Sequence, residues 1–296
     1  MSIEKINISK MSHDDWLEER KKGIGGSDAA GIVGLNAYAT PYSIWADKTG
    51  RMPPKEDNEA MRQGRDLEDY VAKRWEERTG KKVRRCNYIL RNTDYPFAHA
   101  NIDRDVIGEN AGLECKTTSL MNLKKFKNGS YPENYYAQCV HYMAITGADR
   151  WYLGVLVLNQ GFYDFVIERD EEEIKALMEA EAEFWKHVES DTPPAFTGLD
   201  PDSEALKVVY REGQANDNAV QLLGREGDIE NLIALKAQKK ELEKSIKYYE
   251  QVLQGDLQHN EYGRCGQYTV SWKTQTRAGH FVKESTFRKF EIKKAK

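Results

Sequence analysis

Asp103, Glu114 and Lys116 are the residues in this 296-residue chain whose types and spacing suit a hydrolytic centre. They lie in AHANIDRDVIGENAGLECKT, residues 98–117. Asp103 ends one strand-like segment, a turn follows, and Glu114-Cys115-Lys116 lies on the next. Side chains alternate across a strand, so Glu114 and Lys116 share one face and Cys115 points to the other. A hairpin brings Asp103 opposite them. Two carboxylates and a lysine gathered at a sheet edge are costly unless something pairs them. A divalent metal held by Asp103 and Glu114 would do so, with the backbone carbonyl of Cys115 as a third oxygen ligand and water completing an octahedral shell suited to Mg²⁺. Lys116 would then orient or deprotonate an attacking water, or steady charge developing on a phosphate. The bland alternative is a surface salt-bridge cluster, since Glu-x-Lys downstream of an Asp also arises by chance.

Neighbouring residues favour the chemical reading. Glu68 lies on the polar face of the helix preceding the strands, where a third acidic ligand is needed. Gln138 sits on the apolar helix that follows, among Tyr, Val and Met, and has little reason to be there unless it reaches the site. Arg20 and Ser27 bracket a glycine-rich turn, GIGGSDAAGIVG (residues 23–34), where guanidinium, hydroxyl and backbone N–H groups suit a terminal phosphate.

These residues need elements to hold them. Residues 13–22 read as a short helix with Ser12 as N-cap and Trp16 on its buried face. Ser27 or Asp28 can cap a second short helix with free N–H groups at its start. In 59–79 the apolar spacing Leu67, Val71, Trp75 predicts a helix that Gly80 stops. Residues 82–91, 98–107 and 111–117 read as strands, 135–146 as a helix ended by Gly147, and 151–158 with 161–168 as a hairpin around Asn159-Gln160. Residues 170–188 form an acidic amphipathic helix. The expected fold is α/β (α+β), a central mixed sheet flanked by helices over residues 1–195. A linker follows over 196–224. Residues 225–296 carry a long helical arm with Leu232, Leu235, Leu242, Ile246, Tyr249 and Leu253 on a seven-residue spacing that Lys239 interrupts. Strands are expected over 263–276 and 287–292.

Composition narrows the class. Hydrophobic residues make up 40% and charged residues 31%, enough apolar material for a core. No apolar run approaches the roughly 20 residues of a membrane helix, and the N-terminus lacks a secretory signal, so a soluble cytoplasmic protein is expected. Cys86, Cys115, Cys139 and Cys265 form no CxxC pair, which argues against an iron–sulfur cluster, a zinc ribbon or a disulfide scaffold. Net charge is −4, but residues 264–296 hold nine basic residues against two acidic ones, leaving the first 263 residues at −11. A basic tail on an acidic body suits a polyanion or an acidic protein partner.

Taken in order, GIGGSDAAGIVG, GRDLEDYVAKRW, IDRDV…GLECKT and YYAQCVHYM resemble the YqaJ-type viral recombinases, which belong with phage lambda exonuclease in the PD-(D/E)xK nuclease superfamily. The resemblance spans about residues 12–190 and implies a restriction-endonuclease-like core. It implies that Asp103, Glu114 and Glu68 serve the metal site, Lys116 is the motif lysine, Gln138 is the glutamine of the following helix, and Arg20 and Ser27 hold a 5′-phosphate. It further implies a 5′→3′ exonuclease on linear double-stranded DNA that uses Mg²⁺, with Mn²⁺ able to substitute. Its partner would be a single-strand annealing protein of the RecT/Red-beta type, and it would form a homo-oligomer, a trimer in the lambda-like members. Two positions depart from the pattern: Ile102 stands where a proline usually precedes the aspartate, and Asn101 where a phosphate-binding serine is placed. The rival readings are a non-catalytic DNA-binding or annealase-docking module and another endonuclease or nickase of the superfamily.

Overall fold

A computed structural model describes residues 2–54, 57–213 and 220–276. It divides into two compact units, residues 1–210 and 211–296. In the first, β1 (Ile3–Asn7) precedes α1 (His13–Lys21), β2 (Ile24–Gly25), α2 (Gly26–Ile32) and α3 (Pro41–Lys48). Then come α4 (Glu59–Thr79), β3 (Val83–Arg85), β4 (Tyr88–Asn92), β5 (Ala98–Ala100), β6 (Arg104–Val106) and β7 (Ala111–Thr118). A 3₁₀ turn, Leu120–Phe126, leads to α5 (Glu133–Thr146), β8 (Arg150–Val157), β9 (Gly161–Glu168), α6 (Glu171–Glu189) and α7 (Asp200–Val209).

The mixed α/β architecture is as expected, but the strands build two sheets rather than one. Five strands run in the order β3-β6-β7-β8-β9 and four in the order β1-β4-β5-β2. Residues 82–91 and 98–107, each expected as one strand, bend from one sheet into the other. Cys86 N–H donates to the Asp103 carbonyl at the crossing, 3.4 Å. Asp103 therefore sits between β5 and β6 rather than at a strand end. β7 pairs antiparallel with β6 and parallel with β8. A parallel pair needs a crossover, and α5 supplies it.

Alternation along β7 and β8 sorts the two faces. Leu113, Tyr152 and half-buried Cys115 meet Ala72 and Trp75 of α4. Trp151 points the other way, into the main core with Cys139, Val140 and Met143 of α5. α4 is held at its start by the Asn58 side chain, which accepts from Met61 N–H, and stops at Gly80 in the left-handed region (φ 73°). At α1, Ser12 caps as expected, accepting from Asp15 N–H at 3.1 Å, but Trp16 is only half-buried. At α2 the cap is Gly25, and Ser27 and Asp28 lie inside the helix; Asp28 instead accepts from Gly25 N–H at 2.9 Å.

The linker expected over 196–224 holds α7 in its first half. Ala205 packs with Tyr42, Trp45 and Phe184. Buried Asp202 accepts from the Thr40 hydroxyl at 2.5 Å and from Thr197 N–H at 2.6 Å, so this helix belongs to the first unit. The second unit contains α8 (Glu226–Leu257) and a hairpin of β10 (Tyr262–Cys265) and β11 (Tyr268–Ser271) turning at Gly266. One expected strand over 263–276 is thus two, and the expected 287–292 strand lies outside the described residues. No helix among the described residues is long and apolar enough to cross a membrane.

Candidate active site

Register carries the sequence reading into geometry. Arg104 pairs with Leu113, which places Asp103 beside Glu114. Asp103 Oδ2 accepts from the Cys115 N–H at 2.8 Å, fixing its carboxylate against β7. Glu114 and Lys116 do share a face, with Lys116 Nζ 2.5 Å from Glu114 Oε1. Gln138, buried on α5, closes the group: its Oε1 accepts from Lys116 Nζ at 2.9 Å and its Nε2 donates to Glu114 Oε1 at 2.8 Å. Nε2 also lies 2.8 Å from the Tyr142 hydroxyl, which donates to the Asn101 carbonyl at 3.1 Å. The cluster is therefore not a surface salt bridge, since Glu114 is only 3% exposed.

Its negative charge is only partly compensated. Burial, Glu114 and Glu68 together push the Asp103 carboxyl well above the usual aspartate range. Burial alone would lower the Lys116 ammonium, but Glu114 and Asp103 overcome it and raise it. Lys116 thus holds its proton here, which suits it to donate and steady negative charge rather than to remove a proton from water. Glu114 Oε2 is buried and has no hydrogen-bond partner. An orphaned carboxylate oxygen beside a second, unfavourably charged carboxylate fits an oxygen-seeking cation.

Glu68 is placed differently from the expectation. It is half-buried rather than on the solvent face, and α4 brings it in from the Cys115 side of β7. Arg104 Nη1 ion-pairs with Glu68 and donates to the Asp103 carbonyl at 2.7 Å, while Nη2 reaches Asp69 at 2.5 Å. Among the described residues no three His, Cys, Asp or Glu side chains form a metal-binding group. Arg104 instead pairs with Glu68 next to the site, a pairing that follows from sheet register and leaves no mark in local spacing.

Arg20 and Ser27 come together, Arg20 Nη2 to Ser27 Oγ 2.9 Å. The guanidinium lies 4.7 Å over the Trp16 ring, whose Nε1 donates to Asn101 Oδ1 at 2.9 Å. Asn101, where a serine was expected, thus braces the stacking platform under Arg20. Behind the turn, Lys48 Nζ bonds the Arg20 carbonyl at 3.1 Å and Asp28 at 2.7 Å. The turn presses on α5: a Cβ on Gly26 would lie 2.6 Å from Tyr142 and 3.1 Å from Gln138 Cγ. Only glycine allows that approach, so Gln138 lies between Gly26 and Glu114. Tyr142, Lys48 and Arg104 escaped the sequence reading, and Trp16 was read only as a buried helix residue, because each touches the cluster through another residue.

A family model described as the YqaJ-like viral recombinase domain matches residues 15–149, which contain every one of these side chains. The Bacillus subtilis (strain 168) protein named "Uncharacterized protein YqaJ" is 43% identical over 270 residues, covering 90% of this chain and 84% of that one. Among solved structures, the alkaline exonuclease LHK-Exo from Laribacter hongkongensis superposes with a TM-score of 0.53 at 20% identity, over 60% of this chain and 94% of that one. A second structure of it, in complex with dAMP, gives the same score at 19% identity. The chain belongs to the YqaJ family, and about 60% of it shares the fold of an alkaline exonuclease.

Proposed function

We propose that this chain is a Mg²⁺-dependent deoxyribonuclease that degrades linear double-stranded DNA in the 5′→3′ direction and leaves 3′ single strands for recombination by strand annealing. The observation that carries the nuclease reading is Glu114: one oxygen is occupied by Lys116 and Gln138, the other is buried and unpartnered beside a destabilised Asp103. Asp103 and Glu114 would hold the ion, with the Cys115 carbonyl as a further oxygen donor and Glu68 as another once it leaves its pair with Arg104; Mn²⁺ would substitute. The ion would supply charge neutralisation and a nucleophilic water at neutral pH.

The chain's own residues do the rest. Gln138 holds Lys116 and Glu114 in register, and Lys116 would steady charge on the non-bridging phosphate oxygens. Arg20 and Ser27 would hold a 5′-phosphate end, and the Gly26 contact would set its distance from the scissile bond. Polarity, the recombination role and an annealing-protein partner of the RecT type rest on family membership, and the trimeric ring on the resemblance to lambda-like exonucleases. The nucleotide in the LHK-Exo complex is consistent with a product site in a protein of this fold.

The test is nucleotide release from linear duplex DNA labelled at either 5′ or 3′ ends, with Mg²⁺ and with EDTA. Mg²⁺-dependent loss of the 5′ label first is expected. Degradation unaffected by EDTA, or tight binding without any degradation, overturns the reading; the second result would instead fit a DNA-binding module.

A further inference from the structure

The loop between β7 and α5 joins the strand that carries Glu114 and Lys116 to the helix that carries Gln138. Its residues 119–132, SLMNLKKFKNGSYP, hold three lysines and no acidic residue, in a chain whose net charge is −4. Elsewhere in the first unit such cations are consumed: Arg85 by Asp69, Arg91 by Glu19, Lys81 by Glu109 and Arg104 by Glu68. Lys124, Lys125 and Lys127 are exposed and make no ion pair with any described residue.

The lysines are unpaired, but the backbone beneath them is fixed. Phe126, which stands among them, is 2% exposed and packs with Leu153, Val155 and Val157 on the sheet. At the start of the loop, Asn122 Nδ2 donates to Thr118 Oγ1 at 2.9 Å. At its end, the Ser130 hydroxyl lies 2.8 Å from the Lys127 carbonyl and 3.1 Å from that of Lys125. Asn128 and Gly129 turn the chain there in the left-handed region, with φ 58° and 78°. A loop held at both ends and pinned by a buried ring has little backbone entropy left to lose on binding. The same ring ties the loop to the site. Phe126 stacks on Tyr135 with centroids 6.4 Å apart, and Lys116 Nζ lies over the Tyr135 ring, 5.2 Å from its centre. Three unpaired ammonium groups within four residues, fixed beside a nuclease site, suit successive phosphates of one DNA backbone. An acidic peptide would satisfy the same charges, but DNA is the anion that a nuclease must bring past this loop.

We propose that Lys124, Lys125 and Lys127 grip the phosphodiester backbone of duplex DNA beside the active site, an inference that rests on the nuclease reading above. The test is duplex binding by the full chain in EDTA over a range of salt concentrations. Each neutralised phosphate contributes about 0.9 to the slope of log affinity against log salt. Lys124→Ala, Lys125→Ala and Lys127→Ala together should therefore lower the slope by about 2 to 3 and weaken binding about tenfold or more near physiological salt. Lys124→Arg, Lys125→Arg and Lys127→Arg keep the charge and should hold the slope within about one of wild type. Lys175→Ala, Lys186→Ala and Lys207→Ala remove equal charge from α6 and α7, and should lower the slope by less than about one. The proposal is overturned by an alanine variant with the wild-type slope, by α6 and α7 substitutions that lower it as far, or by arginines that fail to hold it. A wild-type chain that binds no duplex overturns it as well. Mg²⁺-dependent nucleotide release, measured on the same samples, separates the two readings. Binding that depends on these lysines without any release sinks only the nuclease reading, and release with an unchanged salt slope sinks only this one.

Discussion

Asp28 and Asp103 are two half-buried aspartates in the same unit, and burial pushes both carboxyls upward. Their surroundings then send them in opposite directions. Around Asp28, Lys48 and Arg20 overcome burial and bring the carboxyl down to about 2. Around Asp103, Glu114 and Glu68 add to burial and keep it raised, against Lys116 and the Cys115 N–H. Asp28 is compensated within the protein: it binds Lys48 and the Gly25 N–H, and so ties α2, α3 and the end of α1 together. Asp103 and Glu114 are left short of positive charge. Structural and chemical polar clusters are distinguished here by incomplete compensation, not by burial.

The contrast breaks most directly by removing each charge. Asp103→Asn or Glu114→Gln should lower Mg²⁺-dependent cleavage by about a hundredfold or more. Asp103→Asn should not lower the melting temperature, because it relieves repulsion within the site, whereas Glu114→Gln also takes the carboxylate partner from Lys116. A variant that loses activity only in proportion to lost folded protein would return the cluster to a structural role.

Asp28→Asn should do the reverse. It leaves the Lys48 ammonium, 3% exposed, without its carboxylate. Breaking one partner of a buried pair costs about 3 kcal/mol or more, read as a lower denaturant midpoint at unchanged slope. Cleavage per folded molecule on a 5′-hydroxyl end should stay within a fewfold of wild type. A neutral Asp28→Asn would mean that Asp28 and Asp103 do not differ as described.

The acid limb of stability sharpens the same comparison. Asp28 has a folded value of about 2 against an ordinary aspartate value of 3.8, so the unfolded chain takes up its proton first as pH falls. Its contribution is present in full above the unfolded value and is lost through the window down to about pH 2. The size is about 2 kcal/mol by linkage. Asp103 has the opposite sign, being raised, and costs stability where it is ionised. The stability difference between wild type and Asp28→Asn should therefore shrink by about 2 kcal/mol from pH 5 to pH 2, followed by urea unfolding at each pH. A constant difference removes the linkage.

How much of this was legible follows from what each feature depends on. α4, α5 and the β8–β9 hairpin are written in local periodicity and in the glycines at 80 and 147, and they fold as read. The bends at 86–87 and 101–103 that move the chain between sheets interrupt no pattern, so two sheets read as one. α3 and α7 are short, and α7 hides in a stretch rich in Pro, Asp and Ser; what makes it part of the first unit is Asp202 bonding to Thr40, a contact across 162 residues. At the site, Gln138 was legible because a polar residue in an apolar helix must have a partner. Arg104 was not, since its partners Glu68 and Asp69 are chosen by how α4 lies on the sheet. Sequence spacing located the frustrated charges; only the fold revealed which of them Arg104 had already neutralised.

The smallest predicted effect concerns the boundary between the two clusters. Arg20 stands between them: its carbonyl is held by the Asp28–Lys48 pair and its guanidinium reaches Ser27, one helix residue from Gly26. The guanidinium is half-exposed and stacks on Trp16, so it is placed without being consumed by a carboxylate. A terminal phosphate offered to that face would gain a charge-assisted bidentate bond in partial solvent, about 1.4 kcal/mol, or a factor of about ten. Arg20→Ala should therefore lower the preference for 5′-phosphate over 5′-hydroxyl ends about tenfold. It should barely change the rate on hydroxyl ends, because Glu114, Lys116 and Gln138 keep their mutual bonds without it. Arg20→Lys should recover part of the preference as a point charge that cannot bind bidentately. Equal losses on both ends would place Arg20 with Lys48 and Asp28 as scaffold. An unchanged preference would move the phosphate site elsewhere.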